Sequence, residues 1–169
     1  MSTNADVLNA VVARLVALEP ALFTEANAYI VDKPEFRESE HEIFAQVSVG
    51  DGSFPHAASG VGLMQNTVRV TVYRRLARDV SERDDQRIAS AAGVVALLDT
   101  IEQRMTHSYL GGVLVSCLTP TAPTAPATSG TDEAPDWVSA SIGFDFTMDA
   151  GFPNPQVKND GTTPDNGTA

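Results

Sequence analysis

Strict alternation of side-chain character over residues 137–148 constrains the fold of this chain more than any other feature. Every second residue of one series is apolar, and this series comprises Val138, Ala140, Ile142, Phe144, Phe146 and Met148. The intervening series is Trp137, Ser139, Ser141, Gly143, Asp145 and Thr147. Because successive side chains of a strand point to opposite sides of the sheet, this pattern predicts a long strand that covers one side of the core.

Two earlier segments show the same period of two residues. In residues 67–73, three valines share one side of the predicted strand: Val68, Val70 and Val72. In residues 43–50, Ile43, Ala45, Val47 and Val49 are predicted to face the core, and Gln46 and Ser48 to point outward. The apolar run VLVSCL, residues 113–118, predicts one further strand. Residues 20–42 are predicted to form a connector with room for one short strand.

Apolar spacings of three and four residues predict two helices. The stripe of the first comprises Val7, Leu8, Val11, Val12, Leu15 and Val16. Thr3 and Asp6 are predicted to form a capping box at its start, and Pro20 limits its end. The stripe of the second comprises Ile88, Ala91, Val95, Leu98, Ile101 and Met105, preceded by a second capping pattern at Ser81 and Asp84. Gly111 and Gly112 are expected to stop this second helix.

The order of these elements predicts the fold class. A chain of 169 residues with 43% hydrophobic residues fits one domain with a single sizeable core. We predict one α+β domain over residues 1–149, with two layers: a mainly antiparallel four-stranded sheet and two helices packed on one of its faces. The opposite face is expected to be solvated or used for contacts.

Three segments are predicted to lack regular structure. Residues 50–66 form a glycine-rich loop that is long for a connection inside a compact domain. Its apolar residues are expected to contact a neighbouring subunit: Phe54, Leu63 and Met64. Residues 119–136 form a Pro-rich insert of extended character, and residues 150–169 are predicted to be a flexible C-terminal tail.

The charge of the chain is strongly acidic, with 22 Asp and Glu against 11 Lys and Arg and a formal net charge of -11. This balance argues against a general nucleic-acid binder, which needs a basic face. Residues 69–87 reverse the sign locally, since six arginines stand there against four acidic residues. Either these arginines pair with the neighbouring acids, or they form a patch for another acidic subunit. The patch would comprise Arg69, Arg74, Arg75 and Arg78.

No catalytic, cofactor-binding or metal-binding residue is predicted. His41, His56 and His107 are scattered and do not show the spacing of two metal ligands on one helix turn. Cys117 lies in an apolar run, which is more typical of a small buried residue than of a nucleophile. No stretch approaches the roughly 20 apolar residues that a membrane-spanning helix needs, so no membrane association is expected.

The order and texture of three segments resemble the tail-terminator proteins of long-tailed bacteriophages. The segments are VRVTVYRR, the long helical stretch DDQRIASAAGVVALLDTIEQRM, and the final alternating strand WVSASIGFDFTMD. The resemblance covers roughly residues 5–149, whereas the Pro-rich insert and the C-terminal tail have no counterpart in the family pattern. No single residue is diagnostic of the family.

The resemblance implies a non-enzymatic virion protein that is assembled in the host cytoplasm. Such a protein forms a homo-oligomer, a six-membered ring that caps the tail tube, stops its polymerisation and joins the tail to the head. Its implied partners are the tail tube protein and the head-completion or connector proteins, and DNA passes through its lumen without specific binding. A negatively charged channel wall suits that passage, because it repels phosphates.

Two alternatives remain open at this point. Another neck component, such as a head-closure or connector protein, would bind the portal assembly rather than the tail tube. A small enzyme or ligand-binding domain would be a stable monomer with a deep pocket lined by His41, His56 or Cys117.

Overall fold

One mixed sheet organises the computed structural model, which describes residues 3–33, 40–50, 61–76, 83–114, 116–131 and 134–153. Two helices accompany the sheet, so the fold is α+β as predicted. The helices are α1 (Asn4–Leu18) and α2 (Arg83–Met105), and one 3-10 turn spans Leu110–Gly112. The strands are β1 (Ala28–Ile30), β2 (Ile43–Val49), β3 (Val61–Arg75), β4 (Thr119–Pro120), β5 (Ala127–Thr131) and β6 (Ala134–Pro153).

The sheet is larger than the predicted four antiparallel strands. Its order is β1-β2-β3-β6-β4, and β5 also pairs with β6. The pair β1–β2 is parallel, and the other pairs are antiparallel. Strand β1 is the short strand for which the predicted connector over residues 20–42 left room. Strands β4 and β5 come from the Pro-rich insert and were not predicted, because two and five residues are too few to show a period of two.

The run VLVSCL does not form the predicted strand in its described part. The chain first makes the 3-10 turn, in which Gly111 and Gly112 have φ of 69° and 92°, a conformation that favours glycine. It then runs irregularly to β4, and Leu114 and Leu118 are buried. A short apolar run signals burial, and here burial is reached without a strand.

The central pair β3–β6 places the predicted apolar series on one face. Val70 lies opposite Ile142 and Val72 lies opposite Ala140. All nine predicted core residues of these two strands are buried: Val68, Val70, Val72, Val138, Ala140, Ile142, Phe144, Phe146 and Met148. They form one core with residues of α1 and α2, which confirms the two-helix layer.

Helix α1 begins with the predicted capping box. The Thr3 hydroxyl accepts a hydrogen bond from the Asp6 N–H at 3.2 Å, and the Thr3 N–H donates to the Asp6 carboxylate at 2.7 Å. The Thr3 hydroxyl also donates to the Asp6 carboxylate at 2.8 Å, and this hydrogen bond, followed by that from the Thr3 N–H, lowers the pKa of Asp6. Four residues of the predicted stripe are buried: Val7, Leu8, Val11 and Leu15. Val12 and Val16 are only half-buried, so the apolar stripe is wider than the core that it covers.

Helix α2 buries a slightly different set of residues from the predicted stripe. The buried series is Val94, Leu98, Ile101 and Met105, whereas Val95 is 39% exposed. Spacings of four, three and four residues keep this series on one face, and Val95 lies one position outside it. The second predicted capping pattern includes Ser81, which lies outside the described residues.

Two boundaries differ from prediction. The loop predicted over residues 50–66 ends earlier, because β3 begins at Val61. The tail predicted from residue 150 begins later, because β6 continues to Pro153. In both cases the pairing of β3 with β6 extends the ladder, with Val61 opposite Pro153 and an irregularity between Val61 and Leu63. The remainder of the predicted tail lies outside the described residues.

Candidate interaction surfaces

The face of the sheet opposite the helices carries its own aromatic cluster. Register places Phe44 of β2 opposite Tyr73 of β3, and their rings stack with centroids 4.5 Å apart. Trp137 of β6 meets the Phe44 ring edge to face at 5.2 Å, and Tyr29 stacks on its other side at 6.0 Å. Phe44, Tyr73 and Trp137 are buried, which makes this cluster a second, smaller core.

This second face was predicted to be solvated or used for contacts, and around β2 it is not solvated. Gln46 and Ser48, predicted to point outward into solvent, are 1% and 5% exposed. Thr71, which lies opposite Gln46, is 5% exposed, and its hydroxyl has no hydrogen-bond partner among the described residues. Burial raises the pKa of the Tyr73 phenol, and the adjacent Tyr29 raises it further.

The arginines of the predicted basic patch separate into two groups. Arg69 and Arg75 lie on the second face, where Arg69 is exposed and the Arg75 guanidinium lies 4.9 Å from the Trp137 ring centre. Arg74 lies on the helix face and reaches α2 at Gly93, where the missing Cβ leaves room for the guanidinium. Adjacent residues of a strand point to opposite faces, so these three arginines do not form one patch. Arg78 lies outside the described residues.

The predicted apolar contacts of the long loop also separate. Leu63 and Met64 belong to β3 rather than to a loop. Met64 is buried in the main core, and Leu63 is half-buried on the second face. Phe54 lies outside the described residues. Of the described residues of this set, Leu63 alone therefore remains available for a contact with another molecule.

One edge of β3 lacks a strand partner among the residues that the structure describes. The pairing of β2 with β3 ends where Val49 lies opposite Val68, and the Gly50 N–H still donates to the Thr67 carbonyl at 3.0 Å. Beyond that point residues 61–66 of β3, which we call the overhang, pair with β6 alone among the described residues. Backbone groups of alternate residues point to the same side, so Leu63 and Gln65 direct their N–H and C=O groups to the open edge.

A second open edge lies at β1, which ends the sheet on the opposite side of β2. The backbone carbonyl of Asn27 accepts a hydrogen bond from the Ala45 N–H, and the Val31 N–H donates one to the Val47 carbonyl. By alternation, the N–H and C=O groups of Ile30 then point away from β2. Ile30 is 40% exposed, so this edge is accessible.

A groove of about 470 Å³ runs along the β1 edge, between β1 and α1. Its lining residues are Asn9, Val12, Ala13, Val16, Glu25, Ala28, Tyr29 and Ile30. Val12 and Val16 are the part of the α1 stripe that the core leaves uncovered. Most of the lining is apolar, and Glu25 supplies one negative charge.

Asn27 fixes the entry into β1. Its side-chain N–H groups donate to the carbonyls of Leu22 and Ile43 at 2.7 and 3.1 Å, and its side-chain oxygen accepts from the Thr24 N–H at 2.6 Å. The residue is 6% exposed. One buried amide thus ties the turn before β1 to the start of β2, a role that no sequence pattern indicated.

The titratable groups do not gather into an evident reaction centre in the described part of the chain. The Cys117 sulfur lies 3.9 Å from His107 Nδ1, a proximity that sequence spacing did not suggest. Neither residue lines the groove. No group of three or more His, Cys, Asp or Glu that could hold a metal occurs among the described residues. His56 lies outside them.

No helix within the described ranges has both the length and the apolar character required to cross a membrane. No known protein family matches the chain, and no curated protein is significantly similar to it.

Proposed function

We propose that this chain is a ring-forming tail terminator of a tailed phage, which caps the tail tube, stops its polymerisation and joins the tail to the head. The observation that carries the proposal is the presence of two unlike edges on one small sheet, at β1 and at the overhang, to which no strand of the described residues pairs. A ring built head to tail requires two different surfaces on each subunit. The order of helices and strands, which resembles the terminator family, supplies the virion context.

The exposed charges support the same assembly. Arg69 is exposed on the second face, and Glu25 is exposed and lines the groove beside β1. An exposed positive charge and an exposed negative charge at separate places on a subunit favour a fixed head-to-tail orientation. The net charge of -11 suits a ring whose lumen lets DNA pass without binding it.

The proposed role is non-catalytic, and the partners are the tail tube below and the head-completion or connector proteins above. A connector or head-closure protein is the alternative within the same neck. It would use the same two edges for ring formation but would dock on the portal assembly instead of the tube.

Arg69→Glu is expected to weaken capping of tail tubes. Added to growing tubes, the wild-type protein should arrest elongation and leave a ring at one end. Reversing an exposed charge replaces a weak attraction by a repulsion, about 1–2 kcal/mol in total, so the variant should need about tenfold more protein for the same arrest. The readout is the tube-length distribution in negative-stain images.

Arg14→Glu is the matched control, because Arg14 is also exposed and the reversal changes the net charge equally. It should arrest tubes as the wild type does. Tubes that elongate unhindered in the presence of wild-type protein would overturn the terminator role. Binding to isolated portal assemblies in that case would identify the connector alternative.

A further inference from the structure

We infer that the β1 edge and its groove form the docking site for the overhang of a second copy of this chain, so that the sheet continues from one subunit into the next. This inference rests on the proposed ring for the number of subunits, but not for the pairing itself. Both participants are on the same chain, one on each side of β2. Pairing them generates a head-to-tail contact that closes into a ring.

The two edges match in backbone chemistry. Ile30 presents an outward N–H and C=O, and so do Leu63 and Gln65 of the overhang. Addition of a strand to an open edge satisfies such groups by main-chain hydrogen bonds, and neighbouring pockets give it selectivity. The Ala28 N–H already donates to the Thr24 carbonyl, so the pairing of β1 is centred on the open N–H and C=O of Ile30.

Neither edge carries the features that normally prevent strand addition. Proteins protect open edges with charged residues, prolines or a covering element. The overhang, VGLMQN, and β1, AYI, contain no charged residue and no proline. The register irregularity between Val61 and Leu63 is the only feature of these described edge residues that opposes strand addition. It lies at the far end of the overhang. Leu63 and Gln65 remain open for pairing.

The groove gives the pairing an apolar component. Val12 and Val16 of α1 are half-buried, and Ile30, which lines the same groove, is 40% exposed. A strand laid along β1 would cover this apolar surface, which the subunit's own core leaves exposed. Leu63, half-buried on its own subunit, lies on the docking strand itself.

Charge fixes the direction of the contact. Glu25 lines the groove, and Arg69 is the exposed charge on β3 that follows the overhang. Four residues separate Arg69 from Gln65, about 13 Å along a strand. When the docked strand turns the face that carries Leu63 and Arg69 toward the groove, the Arg69 side chain at its base approaches the acidic groove side of the neighbouring copy. The same charges oppose pairing of two β1 edges or two overhangs.

Ile30→Pro tests the backbone pairing directly. Proline is tolerated on an edge strand where the N–H faces outward, so the subunit should fold with nearly unchanged melting temperature. The missing N–H and the added ring should abolish self-association over the concentration range in which the wild type assembles. Ile30→Thr is the matched control, because it keeps the N–H and the β-branch, and it should still assemble.

Ala13→Glu tests the groove independently, should the proline variant fail to fold. Ala13 is exposed and lines the groove, so a glutamate there should leave the subunit folded and prevent docking of an apolar strand. Ala5→Glu places the same charge on an exposed site of the same helix outside the groove. It should assemble as the wild type does.

Cross-linking identifies the two surfaces that meet. In a Cys117→Ser background, Ala13→Cys combined with Gln65→Cys should give a covalent ladder of subunits with a short bismaleimide. Either single-cysteine variant should stop at monomer with few dimers. Pairing Gln65→Cys with Ala5→Cys should not extend a ladder.

The outcomes separate this inference from the proposed function. Rings that persist in Ile30→Pro and Ala13→Glu would overturn the docking site and leave the terminator role standing. A ladder and edge-dependent assembly without tube capping would support the docking site and overturn the terminator role. A chain that stays monomeric and unlinked, alone and with tail tubes, would overturn both.

Discussion

Phe44→Ala is expected to lower the free energy of unfolding by about 3–5 kcal/mol, the usual cost of removing a fully buried aromatic ring. Phe44 is 0% exposed and contacts the rings of Tyr73, Trp137 and Tyr29. Its removal leaves a cavity that the other three rings cannot fill, because each of them is held on a different strand. Urea titration followed by tryptophan fluorescence measures the loss, since Trp137 is the one tryptophan in the sequence.

Tyr109→Ala is the matched control for this experiment. Tyr109 is 53% exposed, so its truncation should change stability by less than about 0.5 kcal/mol. A loss below about 1 kcal/mol for Phe44→Ala would contradict the description of the second face as a core. Phe44→Leu, which retains most of the volume, should fall between the two.

Asn27→Ala is expected to cost about 3 kcal/mol, because it removes the hydrogen bonds of a buried amide, each contributing about 1 kcal/mol, of which that from the Thr24 hydroxyl is long at 3.4 Å. Two carbonyls, of Leu22 and Ile43, and the Thr24 N–H would lose their partner. The turn before β1 would loosen, so the β1 edge should also lose its affinity for a docking strand. Thermal unfolding and the concentration dependence of assembly measure the two effects separately.

Asn27→Asp sharpens the test, since the side chain keeps its shape but presents a carboxylate to two carbonyl oxygens. We expect it to be at least as destabilising as alanine near neutral pH and to recover part of the loss at acidic pH, where the carboxyl can donate one hydrogen bond. Asn9→Ala, at an exposed site, should cost less than about 0.5 kcal/mol. Equal effects at the two asparagines would contradict the role assigned to Asn27.

Periodicity in the sequence was sufficient to predict the inward face of the long strands and the first capping box. These features depend on residues within one element, so local spacing contains the information. Alternation also required that Arg74 and Arg75 point to opposite faces, and treating them as one patch overlooked this constraint. In α2 the prediction named Val95 where Val94 is the buried residue. Neighbouring positions of a helix differ in direction by only about 100°, so the apolar spacing did not separate the two.

The remaining features depend on residues that are distant in sequence. Phe44, Tyr73 and Trp137 come from three strands, and no local pattern predicts that they meet. Polar residues at alternate positions, such as Gln46 and Ser48, indicate which face they occupy but not whether that face is covered. The overhang follows from where β2 ends relative to β3, and the β1 edge from the place of β1 at the end of the sheet, which only the register and the strand order determine.

The central claim is that this chain closes into a ring through two unlike edges, and the mass of the particle over a concentration series tests it most directly. The account predicts a closed species of six copies of the 17.9 kDa chain, about 107 kDa, with a central channel in negative-stain images. That species should form on tail tubes even where the free protein is dilute. A particle that remains at the mass of one chain at high concentration, and that also fails to bind added tail tubes, would contradict the account.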